Sequence, residues 1–366
     1  MKIAVDARML GRSGIGTYLR NVLPRLVPLR PEWSFLLLGR ADEIRGVPWP
    51  PGGNVSTAEL HSPIYSLREQ LALPALVPRD RDLLWSPHFN VPLLYSGRML
   101  VTIHDVLHLA RPEYMPGPHK RLFARLLLSA VRRKADAVIC NSRFTADELM
   151  RVVGVAAERI EVIYMGVDED WFAVDPRPRP HARPYFVFVG NVKSHKNVAG
   201  LLAAFAGIAD RIPHDLIIVG QKEGFITGDD RVEKASLALG GRVTFTGAVN
   251  DALLKRYVAC AEALVLPSFY EGFGLPALEA MACGCPAIVS DRAALPEVCA
   301  DAALYCDPDD AEDIAHRLLE VSASESLRAD LRRRGLERAR QFDWGTCARQ
   351  TMGVIDRIGS PRNSEC

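Results

Sequence analysis

Pro267-Ser-Phe-Tyr-Glu271-Gly272-Phe273-Gly274-Leu275-Pro276-Ala-Leu-Glu279-Ala-Met-Ala-Cys-Gly-Cys-Pro286 is the stretch on which the reading of this chain turns. An apolar run at 263–266 ends at Pro267, a loop with two glycines follows, and Pro276 suits the first turn of a helix, where its missing N–H leaves nothing unsatisfied. A strand that passes into a helix through such a loop aims backbone N–H groups, here around Gly272 to Leu275, and the positive end of the helix at one spot. That is an anion site that needs no metal. Glu271 and Glu279 flank it and would repel a phosphate directly, so they are expected to accept hydrogen bonds from hydroxyls on either side of a diphosphate, one on a sugar ring and one on a ribose. Each such bond contributes about 1.5 to 3 kcal/mol. The plainer alternative is a glycine turn followed by solvated glutamates.

Outward from this stretch, short apolar runs ending in Gly, Pro, Ser or Asp alternate with longer stretches of helical period, the pattern of parallel strands joined by helices. Candidate strands in the first half are 3–7, 34–38, 83–86, 100–104, 137–141 and 160–164. Residues 174–184 then place four prolines in eleven positions, each excluding helix, which reads as a stiff extended connector. Candidate strands resume at 185–189, 216–219, 243–246, 263–266, 287–290 and 303–306. The expected fold class is α/β, with two doubly wound Rossmann-like domains facing a cleft that takes the ligand. Their expected bounds are 1–173 and 184–343, with a Pro-rich linker at 174–183 and a C-terminal segment at 344–366, helical over 344–358.

A length of 366 residues favours two domains, and 48% hydrophobic with 24% charged residues excludes disorder. The net charge of +1 gives no global pull toward nucleic acid, but residues 1–150 carry +7 and the remainder −6. Eight cysteines include no C-x-x-C pair, which fits reduced thiols and a cytoplasmic protein. Asp6 and Arg8 interrupt what a signal peptide would need, and no apolar run approaches the ~18 to 20 residues of a membrane span. Residues 117–134 read as an amphipathic helix with Leu122, Phe123, Leu126, Leu127, Ala130 and Val131 on one face and Arg121, Arg125 and Arg132 on another. It either packs on the sheet with a solvated basic side or rests on anionic lipid at the inner face of the cytoplasmic membrane.

Glu271-x7-Glu279, within Glu-Gly-Phe-Gly-Leu-Pro-x-Leu-Glu-Ala-Met-Ala-x-Gly-x-Pro, closely resembles the donor-site signature of family 4 retaining glycosyltransferases, which have the GT-B fold. The resemblance continues through Asp6-Ala7-Arg8, Gly14-Ile15-Gly16-Thr17, Ile103-His104-Asp105, Asn141-Ser142-Arg143-Phe144, Gly166-Val167-Asp168 and Gly190 to Asn197. It is closest to bacterial mannosyl- and rhamnosyltransferases of surface polysaccharide and lipopolysaccharide synthesis. It implies that Glu271 contacts hydroxyls of the donor sugar and Glu279 the ribose, and that amides of Gly272, Phe273, Gly274 and Leu275 hold the diphosphate. The strand end around 245–248 would border the base, residues 1–173 would bind the acceptor, and the last segment would cross back onto the first domain. The implied reaction is hexosyl transfer with retention, independent of metal, from a nucleoside-diphosphate sugar to a hydroxyl of a saccharide or lipid-linked saccharide. GDP-mannose is the expected donor. Front-face attack is expected, since no carboxylate is obviously placed as a nucleophile.

Asn191-Val-Lys193-Ser-His195-Lys196-Asn197 forms a cationic strand-to-helix loop, suited to stabilising a departing diphosphate. Lys196 matches the family's lysine. Many relatives carry Arg five residues before it, where this chain has Asn191, leaving Lys193 or His195 to supply a second cation. The alternative is a lysine-rich helix start on the surface. Gly14 and Gly16 lack the full G-x-G-x-x-G spacing; either they form a turn, or Gly16 lets the backbone approach the donor phosphates. His104, at a strand's carboxyl end, is either a packed residue or, as the resemblance implies, one that faces the reacting centre. Asp105 either orients its imidazole or caps the next turn. Three D-x-D strings, at 80–82, 168–170 and 307–309, read as turns rather than metal ligands, since none sits at the donor motif. Two rival functions remain, a nucleotide-sugar epimerase of similar fold and a catalytically silent nucleotide-sugar-binding subunit.

Overall fold

A computed structural model describes residues 1–11, 13–114, 117–220 and 230–359. Its backbone divides into two compact units, Met1–Gly166 with the chain from Asp343 onward, and Val167–Phe342.

The first unit is built on a parallel sheet of β1 (Lys2–Asp6), β2 (Ser34–Gly39), β3 (Val55–Glu59), β4 (Leu83–Ser86), β5 (Met99–Ile103), β6 (Ala137–Cys140) and β7 (Ile160–Val162), in the order β3-β2-β1-β4-β5-β6-β7. The second is built on β8 (Tyr185–Val189), β9 (Asp215–Val219), β10 (Val243–Gly247), β11 (Ala263–Leu266), β12 (Ala287–Ser290) and β13 (Leu304–Cys306), in the order β10-β9-β8-β11-β12-β13. Central strands such as β5 and β9 are buried throughout, as helices on both faces require, and this is why their sequences run apolar without alternation. In each sheet the chain builds outward from one central strand and then returns to that strand's other side. The order thus reverses between β1 and β4, and again between β8 and β11. Connections on the two sides of such a reversal diverge, leaving a crevice at the strands' carboxyl ends.

Twelve of these strands match the expected apolar runs to within two residues at either end. The other, β3, reads Val-Ser-Thr-Ala-Glu, an edge strand that is half-exposed along its length and so carries no apolar run to detect. The helix Pro118–Lys134 forms, and Phe123, Leu127, Ala130 and Val131 of the expected face do pack on the core, but Leu122 and Leu126 do not. Ala124, Leu127, Leu128, Ala130 and Val131 are buried, whereas Leu122 (61% exposed) and Leu126 (49%) stand out among the exposed Lys120, Arg121 and Arg125. Among the described residues no helix is long and apolar enough to cross a membrane.

The segment 174–184 contains no helix or strand and is tied down on the second unit. Cys260 Sγ donates to the Pro176 carbonyl, His181 pairs with Asp215 at 2.7 Å, and Arg183 Nη2 donates to the Pro213 carbonyl at 2.7 Å. Just upstream, Trp171 is buried beneath the Lys255 ammonium, 5.7 Å from the ring centroid, which draws the chain from Val167 into the second unit ahead of the prolines. The C-terminal helix Trp344–Gly359 belongs to the first unit. It packs on the helix Ser13–Leu26, with Tyr18 edge-on to Trp344 and Arg30 paired with Asp356 at 2.7 Å.

Candidate functional site

The reversal between β8 and β11 brings two loops together at the carboxyl edge of the second sheet. After β8 the chain makes the short turn Ser194–Lys196, and Asn197, in a left-handed conformation, starts the helix Val198–Ala206 by accepting from Gly200 N–H. After β11 comes the loop holding Glu271. Lys196 Nζ lies 2.6 Å from Glu271 Oε1, and Ser268 Oγ donates to the same oxygen at 2.8 Å. Ser290 Oγ at the end of β12 in turn donates to the Ser268 carbonyl, and Phe269 N–H to the His195 carbonyl. Ser268 and Ser290 are fully buried, so the loops are laced from below while the ion pair sits at their upper, nearly buried edge.

The glycine loop runs directly into the helix Leu275–Ala282, with Pro276 in its first turn as expected. Gly274 has φ +98°, a backbone conformation that favours glycine, and a Cβ there would also have to displace Leu295 Cδ2, which would lie 2.5 Å away. Phe273 is buried edge-on to Phe342 and anchors the loop. Gly272, Phe273, Gly274 and Leu275 thus lead from Glu271, the partner of Lys196, up to a helix N-terminus.

Glu279 lies one turn into that helix, and its electrostatic surroundings differ from those of Glu271. Burial, reinforced by the carboxylates of Asp168 and Asp251, pushes it up to about 8 against the opposing pull of Lys255. Lys255 itself binds Asp251 at 2.7 Å and Asp170 at 3.5 Å. At neutral pH Glu279 is therefore largely a neutral carboxyl that can donate as well as accept. The sequence offered no signal for this group, because Asp168, Asp251 and Lys255 meet Glu279 only through the fold.

Asn191 is half-buried, and Lys193 on the same loop is exposed. In the first unit, His104 follows β5 with Nε2 3.1 Å from the Pro87 carbonyl and its ring edge-on to Tyr18. Burial brings it down to about 4 despite the pull of Asp105 and of that carbonyl, so at neutral pH it is an uncharged imidazole with Nε2–H donating and Nδ1 left as an acceptor. Asp105 accepts from Leu107 N–H at 3.0 Å and caps the turn that follows. Gly16 has a reason within its own unit to lack a side chain, since a Cβ would lie 2.4 Å from the Leu10 carbonyl oxygen. Gly14 is exposed at the start of the same helix, with open space around it. Two of the D-x-D strings are engaged elsewhere, Asp80 and Asp82 with Lys2, and Asp307 and Asp309 with Arg292; the third, against expectation, comes to the donor motif through the fold, with Asp168 near Glu279 and Asp170 paired with Lys255.

Residues 12–171 match the family described as Glycosyltransferase Family 4, and residues 170–338 the one described as Glycosyl transferases group 1. The O-antigen chain mannosyltransferase B of Escherichia coli is 30% identical over 93% of this chain and 95% of its own length. The O-antigen chain mannosyltransferase RfbU of Salmonella typhimurium is 32% identical over 66% of this chain and 65% of its own. Sucrose-phosphate synthase from Thermosynechococcus elongatus shares the fold, with a TM-score of 0.79 over 98% of this chain and 99% of that one at 24% identity. Two Rossmann-like units with these likenesses define a glycosyltransferase of GT-B fold. Within that class, the chain belongs to glycosyltransferase family 4.

Two outcomes follow from the geometry. Glu271→Gln strips Lys196 of its countercharge in a nearly buried position and should lower stability by about 1 to 3 kcal/mol; adding Lys196→Met should restore most of the loss. Denaturant titration reads both, and a double variant no more stable than the single would show that the pair contributes nothing. For Glu279 the folded state holds a proton that the unfolded chain releases near the ordinary value of 4.5, so its contribution to stability is complete below that pH and is lost as pH rises toward about 8. Glu279→Gln should therefore gain in Tm relative to the parent as pH rises from 5 to about 8.5; a constant difference across that range would contradict the raised value.

Proposed function

We propose that the chain transfers a mannosyl group, with retention of anomeric configuration and without a metal, from GDP-mannose to a hydroxyl of a saccharide or lipid-linked saccharide in surface polysaccharide synthesis. The observation that carries the reading is the Lys196–Glu271 pair at the sheet reversal beside the Gly274 loop. A diphosphate at the helix N-terminus would draw the Lys196 ammonium from its carboxylate partner, freeing Glu271 to accept hydroxyls of the donor sugar while Ser268 keeps its carboxylate in place. The bond from the anomeric carbon to the diphosphate oxygen breaks, its electron pair stays with the leaving group, and Lys196 stabilises the charge that develops there. The acceptor hydroxyl attacks from the same face and passes its proton to the departing phosphate oxygen. Glu279, with both donor and acceptor capacity, suits the two hydroxyls of a ribose. The choice of mannose is supported by the names of the relatives from Escherichia coli and Salmonella typhimurium.

Peripheral contact with an anionic membrane is supported by the outer side of the helix Pro118–Lys134, where Leu122 and Leu126 stand among arginines and a lysine. Apolar side chains that reach the acyl boundary and cations that meet anionic headgroups, each adding ~1 kcal/mol, are what an interfacial helix presents.

Among GDP-, UDP- and dTDP-sugars, GDP-mannose should give the largest thermal shift and support turnover, with NMR of the product showing the donor's anomeric configuration. Lys196→Ala and Glu271→Ala should each lower turnover at least about tenfold, equivalent to ~1.4 kcal/mol of barrier. EDTA should leave the rate unchanged; loss restored by Mn²⁺ or Mg²⁺, or an inverted product, would reject the mechanism. Conversion of donor without acceptor would point instead to an epimerase. Flotation with vesicles of phosphatidylcholine and phosphatidylglycerol should recover the parent, and Leu122→Ser with Leu126→Ser should abolish recovery. Equal recovery with phosphatidylcholine alone would refute the anionic preference.

A further inference from the structure

The contacts that support Lys196 and Glu271 do not end at Ser268 and Ser290. Past Ser290 the chain runs Asp291-Arg292-Ala293-Ala294 into the short helix Leu295–Cys299, and it meets the glycine loop twice. Ala294 N–H donates to the Glu271 carbonyl at 3.2 Å, and the fully buried Leu295 places its Cδ2 where a side chain on Gly274 would go. Just before these two, Ala293 has φ +58°, a left-handed backbone that residues other than glycine rarely adopt. Such a conformation persists only where its surroundings dictate it. On one side the surroundings are the two contacts just named. On the other stands Arg292.

The Arg292 guanidinium gathers aspartates from two loops. Its Nε donates to Asp291 Oδ1 at 2.9 Å and its Nη2 to Asp307 Oδ1 at 2.8 Å, with Asp309 Oδ2 3.3 Å from Nη2. Asp307 and Asp309 flank Pro308 in the loop that follows β13, and the Pro308 carbonyl accepts from Asn197 Nδ2 at 2.6 Å. Asn197 is buried, starts a helix, and is the residue after Lys196. The contacts therefore close a ring. It runs from Lys196 to Glu271, through the Glu271 carbonyl to Ala294, along the chain to Arg292, across the guanidinium to Asp307 and Asp309, and from Pro308 through Asn197 back to Lys196.

The Arg292 side chain is 40% exposed, and ion pairs this open to water contribute little to stability. Their effect here is on position. Carboxylates drawn to one point repel one another once the cation is removed, so the loops after β12 and β13 that carry them would part. Parting would carry Ala294, and with it the backbone of Glu271, one way, and Pro308, and with it Asn197, the other. Groups aligned for a reaction lose much of their rate when displaced by about 1 Å, even when the cause lies away from the chemistry.

We propose that Arg292 is a positioning residue for glycosyl transfer, which holds the loops of Lys196 and Glu271 in register through their backbones. Its effect on turnover rests on the reading of those two residues as the reacting pair, whereas its hold on the loops does not. Amide hydrogen exchange and steady-state kinetics on the full chain test the two separately, with GDP-mannose as donor and methyl α-mannoside as acceptor. In Arg292→Met the amides of Ala294 and Phe269 should exchange at least about tenfold faster than in the parent, with that of Leu264 in β11 unchanged and Tm lowered by less than about 3 °C. The same variant should lose kcat at least about fivefold, with KM for GDP-mannose changed less than about twofold. Arg292→Lys, which keeps the charge, should regain part of the rate and part of the protection. Unchanged exchange at Ala294 and Phe269, a parent-like kcat alongside faster exchange, equal rates in the two variants, or a larger loss of Tm would each overturn the proposal. Should the parent release no GDP from these substrates, the choice of donor or acceptor fails, and the exchange result alone upholds or overturns the hold of Arg292 on the loops.

Discussion

Every strand of a parallel sheet ends on the same edge, and helices on both faces close off all of that edge except where the strand order reverses. Where β8 meets β11, the loops that follow them have nowhere to pack but against each other, and the Lys196–Glu271 pair at 2.6 Å is the result. Much else in the second unit serves to hold that contact. Ser268 fixes the carboxylate, Ser290 fixes Ser268, Phe269 ties its loop to His195, and Asn197 both starts a helix and donates to the Pro308 carbonyl. The ammonium is nearly buried and held by its carboxylate partner, so in the proposed reaction an arriving anion exchanges one countercharge for another rather than stripping a cation from water. In general, a fixed cation in a poorly hydrated position stabilises developing negative charge more effectively than water does.

Two glutamates eight residues apart illustrate how environment divides labour between identical side chains. Glu271 lies against an ammonium and a hydroxyl, whereas the half-buried Glu279, desolvated and near Asp168 and Asp251, rises to about 8. The first is set up as an acceptor held by a cation, and the second as a group able to give and to take a hydrogen bond. His104 is shifted in the opposite direction by the same cause, burial, which keeps its imidazole uncharged at neutral pH.

What could be read from the sequence follows from what leaves a local pattern. Buried parallel strands are apolar along their length, so runs such as Tyr185–Val189 and Met99–Ile103 stood out. The half-exposed edge strand Val55–Glu59 did not. The loop from Glu271 to Leu275 was legible because Gly274 must adopt a positive φ and Pro276 tolerates only a first turn. The helix Pro118–Lys134 was legible as a helix, and its inner face in part, through Phe123, Leu127, Ala130 and Val131. Its leucines outnumber the positions its neighbours can cover, and only packing decides that Leu128 goes inside while Leu122 and Leu126 stay out.

Local order along the chain, then, determined the α/β alternation, the glycine loop and its flanking glutamates, because each depends on residues within a turn or two of one another. The tertiary structure alone decided which distant groups would face each other: Lys196 with Glu271, Asp168 and Asp251 with Glu279, and Arg8 with Glu69 and Asn90. The physical reason is that charge and hydrogen bonding act through space over a few ångströms, while a sequence records only distance along the backbone. The reversal of strand order is what turns one kind of neighbour into the other.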